Sequence, residues 1–215
     1  VDLIEVGMPF SDPIADGPVI QQSSNIAIRN GMNLNVLFNQ LSDIRKYTQI
    51  PVVLMGYINP VYQFGFKNFI DKMVSCDLDG LILPDMPLDE YERDLKITFD
   101  KNNLSFISLI TPNTSQERVI KIDNNSSGFI YVVSSSSTTG KRSEFDQNQI
   151  SYFNRINSLK LKNKVLIGFG ISDKEAYLNA CKYSSGAIIG TKFIESISKG
   201  NLNKNIKKII SEIRP

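Results

Sequence analysis

The chain contains no histidine. That excludes imidazole acid–base relays, Ser-His triads and His-ligated metal sites, and leaves proton transfer to carboxylates, lysine, tyrosine or cysteine. Cysteine is scarce as well: Cys76 and Cys181 lie far apart with no CxxC spacing. They read as reduced packing residues of a cytosolic-type protein, and neither has an evident base to make it a nucleophile. No hydrophobic run approaches transmembrane length and no signal peptide is visible, so a cytoplasmic location is expected. Neither charge sign dominates: 24 basic residues face 22 acidic ones, for a net charge of +2. That balance argues against a dedicated nucleic-acid or membrane surface. There is no G-x-G-x-x-G dinucleotide fingerprint. There is also no initiator methionine: the chain starts at Val1, inside the first expected strand, and a missing N-terminal segment is expected.

What is present is an ordinary globular composition, with 41% hydrophobic and 21% charged residues in 215, enough for one sizeable core. Short apolar runs at 1–7, 51–56, 80–83, 105–110, 128–133, 164–168 and 186–189 alternate with amphipathic stretches. The runs are almost continuously hydrophobic, as parallel strands buried on both faces are. Helical patterns fall at 34–47, 89–99 and 175–180, the last after Ser172-Asp173, a good N-cap. In the tail, Ile206, Ile209, Ile210 and Ile213 form the apolar stripe of a last helix, with Lys204, Lys207 and Lys208 on its wet face. No linker is found. The expectation is an α/β fold in one domain over 1–215, a (β/α)8 TIM barrel of parallel strands with the first strand–helix unit missing. An open doubly wound sheet is the alternative.

Residues 4–17, reading IEVGMPFSDPIADG, carry the strongest chemical signal. A glutamate inside an apolar β-prone run is costly unless something uses it, and a loop with two more carboxylates follows. Glu5 and Asp16 can divide acid–base roles if their environments separate their pKa values. Asp12 reads as structural, in a turn or helix start with Pro13 at the first helical position. Asp85, between Pro84 and Pro87, is expected to cap the next helix. The Ser-rich stretch 134–142 is expected to be a substrate-closing lid. Gly168 to Ser172 and Gly190-Thr191 each end a strand beside a helix start, where backbone N–H groups bind phosphate. Met55, Ile82, Leu109, Tyr131, Phe169 and Ile188 sit at strand ends, where they can line an apolar or aromatic pocket. Singly, each is more often core.

Residues 4–17 closely resemble the signature of the tryptophan synthase α subunit family: a Glu between aliphatics, a Gly, then F-S-D-P-x-A-D-G. Further stretches resemble it in the same order: Leu54-Met55-Gly56-Tyr57-Ile58-Asn59-Pro60, Pro84-Asp85-Met86-Pro87, Thr111-Pro112-Asn113, Thr139-Gly140, Gly168-Phe169-Gly170-Ile171-Ser172 and Gly190-Thr191. The resemblance spans essentially the whole chain. It implies a barrel lyase of tryptophan biosynthesis that cleaves indole-3-glycerol phosphate to indole and glyceraldehyde 3-phosphate without a cofactor. It implies Glu5 as general acid/base, Asp16 as the partner of the indole N–H and Thr139 as the lid residue that orients that aspartate. Gly140, Gly170, Gly190 and Thr191 then form the phosphate cradle, and Met55, Ile82, Tyr131 and Phe169 the indole pocket. It also implies an α2β2 assembly with a PLP-bearing β subunit, faced by Asn59 and Asp85.

Three features depart from the family pattern. The chain begins where the family's second strand begins. The lid reads Ser137-Thr138-Thr139-Gly140 where Gly-Val-Thr-Gly is common, and Ile189 stands where a small or polar residue is frequent. A ring-closing synthase of the same biosynthesis would lean on a lysine acid in a strand, and no strand carries a convincing one. The remaining alternative is an inactive α-like chain that only binds and activates a β subunit. The intact Glu5 and Asp16 speak against it.

Overall fold

The structure, a computed structural model, describes residues 1–134, 145–168 and 170–213. Strands and helices alternate along it: β1 (Ile4–Gly7), α1 (Pro18–Arg29), α2 (Leu34–Leu41), β2 (Val52–Met55), α3 (Ile58–Phe64), α4 (Phe66–Ser75), β3 (Gly80–Ile82), α5 (Leu88–Glu90), α6 (Lys96–Lys101) and β4 (Ser105–Ile107). Then follow β5 (Leu109–Ile110), α7 (Gln116–Asn125), β6 (Phe129–Val133), α8 (Gln147–Ser158), β7 (Lys164–Gly168), α9 (Lys174–Cys181), β8 (Gly186–Ala187), α10 (Thr191–Ile197) and α11 (Leu202–Ile213). The chain divides into two compact units, one built from 1–16 and 21–108, the other from 17–20 and 109–215.

The first unit holds a parallel sheet in the order β1-β2-β3-β4. Val52, Val53, Leu54, Leu81 and Ile82 are almost fully buried, which is why these strands read as unbroken apolar runs. Around them pack Phe38 against Phe69, and Tyr91 stacked on Phe106 at 3.9 Å with Phe99 edge-on. Tyr91 begins a π-helical turn, Tyr91–Leu95, inside the predicted 89–99 helix. At the N-terminal ends of the strands, Arg45 pairs with Asp79 at 2.5 Å, and Asp79 also accepts the Val52 N–H at 2.6 Å. The buried Cys76 lies 3.5 Å from the Phe38 carbonyl, its thiol pushed up by burial, as a packing residue should be.

The second unit holds a parallel sheet in the order β5-β6-β7-β8. Buried Asp123 accepts the backbone N–H groups of Lys162 and Asn163 and the Asn163 amide, fixing the entry to β7. Asp146 and Gln149 form a capping box on α8, and Asp173 caps α9 by accepting the Ala176 N–H.

Three expectations are corrected. The run 105–110 is two strands, not one: at Ser108 the chain passes from the ladder with β3 to the ladder with β6. Pro13 does not start a helix. It lies in a turn, and Pro18 takes the first helical position of α1. In α11 the buried stripe is Ile209 and Ile213, with Ile206 half-buried and Ile210 exposed. Among the described residues no helix is long and apolar enough to cross a membrane.

Candidate active site

Glu5 is the second residue of β1, in register with Val53 of β2. The side chain is half-buried, but its Oε2 is shut off from solvent and has no hydrogen-bond partner among the described residues. An unpartnered buried carboxylate is expensive, so the neutral form is favoured. Burial first, and then the negative charge of Asp16, push the Glu5 carboxyl from 4.5 up to about 7. At neutral pH it therefore holds a proton about half the time, the condition under which one carboxyl can both give and take one.

Asp16 is set by the loop between β1 and α1, which is tied down along its length. The Phe10 N–H donates to Ser24 Oγ at 3.2 Å, and Ser24 Oγ donates to the Phe10 carbonyl at 2.8 Å. Gln21 Nε2 donates to the carbonyls of Asp16 and Pro13 at 2.9 and 3.3 Å. The buried Tyr57 reaches in from the far end of β2: its hydroxyl donates to Asp16 Oδ2 at 3.2 Å and accepts the Ala15 N–H at 3.0 Å. Burial raises the Asp16 pKa and the Tyr57 hydrogen bond pulls it back, leaving it above the usual carboxylate value. Glu5 is thus the more perturbed of two neighbouring acids, the division of labour that acid–base chemistry needs. Asp12 is exposed; its side chain accepts the Ser11 hydroxyl at 2.5 Å and its carbonyl the Ile14 N–H at 2.8 Å.

Met55 and Ile82 end β2 and β3 side by side, Met55 half-buried and Ile82 fully buried. Gly56 beside them has no room for a side chain: a Cβ there would lie 2.6 Å from Met8 Cε. In the second unit Tyr131 is buried in β6, its ring lying where any Cβ at Gly168 would sit. Gly170 is exposed at φ +78°, a conformation that suits glycine. The two strand-end glycine motifs prove unequal. Asp173 occupies the N-terminus of α9, whereas α10 starts at exposed Thr191 with Gly190 as an N-cap that supplies no side-chain acceptor. Of the two, only α9 has a side-chain cap. Thr139, Gly140 and Phe169, and with them nearly all of the expected lid, lie outside the described residues.

Asp85 does not cap the helix that follows it. Both of its oxygens accept the Ile58 N–H of α3, at 3.0 and 3.1 Å, while α5 has Pro87 as its N-cap and no side-chain cap. The geometric reason is that the loop after β3 carries Asp85 next to the loop after β2. Asn59, in α3, is exposed like Asp85. The residue missed from the sequence is Tyr57. Its signal was there: a tyrosine directly after the strand-end glycine, an apolar ring with a polar handle.

Among the described residues the one lysine in a strand is Lys164, exposed at the first position of β7, which removes the basis for a strand-borne lysine acid. An open cleft of about 440 Å³ at that end of β7 is lined by Lys160, Lys162, Lys164, Tyr183 and Ser185. It lies at the opposite end of the strand from Gly168.

The family model described as tryptophan synthase alpha chain matches residues 1–214. The chain belongs to that family. A tryptophan synthase alpha chain from Flavobacterium psychrophilum is 51% identical over 99% of this chain and 84% of its own length. One from Parabacteroides distasonis is 47% identical over 100% and 84%. Among solved structures, the tryptophan synthase a2b2 complex of Pyrococcus furiosus gives a TM-score of 0.88 at 32% identity, over 98% of this chain and 86% of that one. With its alternating parallel strands and helices, the chain has the (β/α)8 fold class of the family.

Proposed function

We propose that this chain is a lyase of tryptophan biosynthesis, cleaving indole-3-glycerol phosphate to indole and glyceraldehyde 3-phosphate as the α subunit of an assembly with a β subunit. Family membership supports the subunit role, and the a2b2 assembly of the Pyrococcus furiosus relative supports the partnership. One observation carries the chemistry: a half-buried carboxyl on β1 whose enclosed Oε2 has no partner among the described residues, its pKa raised to about 7 beside a second, better satisfied carboxyl.

Protonated Glu5 gives its proton to indole C3, and the positive charge that develops on the ring spreads to the indole nitrogen. Asp16 accepts the hydrogen bond of that N–H and stabilises the charge. The side-chain hydroxyl next to the scissile carbon then loses its proton to the Glu5 carboxylate. The carbon–carbon bond breaks, its electron pair returning to the ring as the aldehyde forms. Glu5 ends with the proton count it started with, so no external acid or base is consumed. Gly170, Gly190 and Thr191, joined by Gly140, take the phosphate on backbone N–H groups, which suits the uncapped start of α10. Met55, Ile82 and Tyr131, with Phe169, take the indole ring, and Thr139 orients Asp16. Asn59 and Asp85 face the β subunit, which carries the PLP.

The test is indole release from indole-3-glycerol phosphate by the full-length protein, alone and with a β subunit, alongside Glu5→Gln. The expected result is release that β accelerates, and a variant that binds substrate within a few-fold of wild type while turnover is abolished. Equal losses of binding and rate would remove Glu5 from the acid–base role.

A further inference from the structure

Tyr57 and Asp85 belong to neither the proton transfer nor the phosphate site, yet Tyr57 bonds to Asp16 and Asp85 bonds to the residue next to Tyr57. Tyr57 stands at the N-cap of α3, a position where its side chain supplies no cap. Its hydroxyl is spent on the loop before α1 instead, donating to Asp16 Oδ2 at 3.2 Å and accepting from Ala15 at 3.0 Å. Its ring packs 5.1 Å from Phe10, the other fixed point of that loop. The missing cap of α3 comes from a different strand end: Asp85 takes the Ile58 N–H on both oxygens, at 3.0 and 3.1 Å. A carboxylate there is favoured by the orphan N–H groups and the helix dipole. Asp85 therefore fixes the backbone of the residue next to Tyr57, and Tyr57 fixes the carboxylate of Asp16. Tyr57 is only 8% exposed, so it has little freedom to absorb a shift of that backbone. Asp85 itself is exposed, on the same rim as Asn59.

We propose that Tyr57 is a positioning residue for Asp16 and that Asp85 sets Tyr57 through Ile58, so that the rim bearing Asp85 and Asn59 is coupled to the catalytic carboxylate. The inference rests on the lyase reading given above for Asp16. Whatever keeps Asp85 on the Ile58 N–H holds Asp16 in place.

Tyr57→Phe removes the donor to Asp16 and keeps the ring. Loss of one hydrogen bond to a charged group predicts a fall in kcat of about tenfold to a hundredfold, with KM for indole-3-glycerol phosphate within about threefold because the phosphate residues are untouched. The Asp16 carboxyl, followed by ¹³C NMR, is expected to titrate at higher pH in Tyr57→Phe than in wild type, since the lost bond held it down. Among the described residues Glu5 and Tyr57 are the titratable groups that act on Asp16, so the same titration is read in Glu5→Gln to remove the coupling to Glu5. Asp85→Asn shifts kcat and the titration in the same direction by less, and Asp85→Glu restores both. The double variant Tyr57→Phe/Asp85→Asn is no worse than Tyr57→Phe alone, the non-additivity of residues acting in series. Additive losses, or an Asp16 titration unmoved by Tyr57→Phe, overturn the coupling. If the wild-type protein releases no indole, the lyase reading fails, and the NMR titration still decides whether Tyr57 holds Asp16.

Discussion

Replacing Glu5 by glutamine is expected to stabilise the protein at alkaline pH and not at acid pH. The carboxyl titrates at 4.5 in a free chain and at about 7 when folded, so between those values the native state holds a proton that the unfolded state has released. Stability falls with pH wherever the native state binds more protons. The contribution of Glu5 is thus fully present below 4.5, declines across the window and is gone above about 7. At about 1.4 kcal/mol per unit of pKa, the loss comes to roughly 3 kcal/mol, reduced toward about 2 by the partial exposure of the residue. Glutamine has nearly the same shape and no charge to desolvate, so it escapes that decline. Chemical denaturation of both proteins at pH 4.5 and pH 8.5 measures the difference directly. The expected result is near equality at the lower pH and a variant more stable by about 2–3 kcal/mol at the higher. A difference that does not change between the two pH values refutes the raised pKa. A variant less stable at alkaline pH would mean that the Glu5 carboxylate is satisfied when charged.

Two further substitutions test the packing and the strand anchors. Gly168→Ala puts a methyl group into the Tyr131 ring and is expected to cost about 1–3 kcal/mol as overpacking, part of it recovered by Tyr131→Leu in the same chain; thermal denaturation reads both. Asp123→Ala leaves the Lys162 and Asn163 N–H groups without their acceptor, for a loss of about 2–4 kcal/mol in denaturant melts. Asp123→Asn, which keeps an acceptor, is expected to lose less.

The strands were readable in the sequence because parallel strands buried on both faces leave an unbroken apolar record: 164–168 is reproduced residue for residue, and all the others but 105–110 are trimmed by one to three residues at one or both ends. The division of the fourth run was not readable, although Ser108, a polar residue in its middle, marks the place where the ladder changes. Helix α1 buries no residue completely. Glu5 and Asp16 stood out as carboxylates in or beside an apolar run, and the structure places them close enough for the charge of one to raise the pKa of the other. Tyr57 and Asp85 did not stand out as a pair, because 27 residues separate Ile58 from the carboxylate that caps it. Only the sheet, by bringing the ends of β2 and β3 together, makes them neighbours.

The central claim is that Glu5 is the proton donor for indole release and that burial sets its pKa for that task. The pH profile of kcat/KM for indole release by the full-length protein tests it most directly. A profile that falls as pH rises through about 7, with no residual activity in Glu5→Gln at any pH, is the predicted result. A profile without that descent, or one that Glu5→Gln retains, contradicts it.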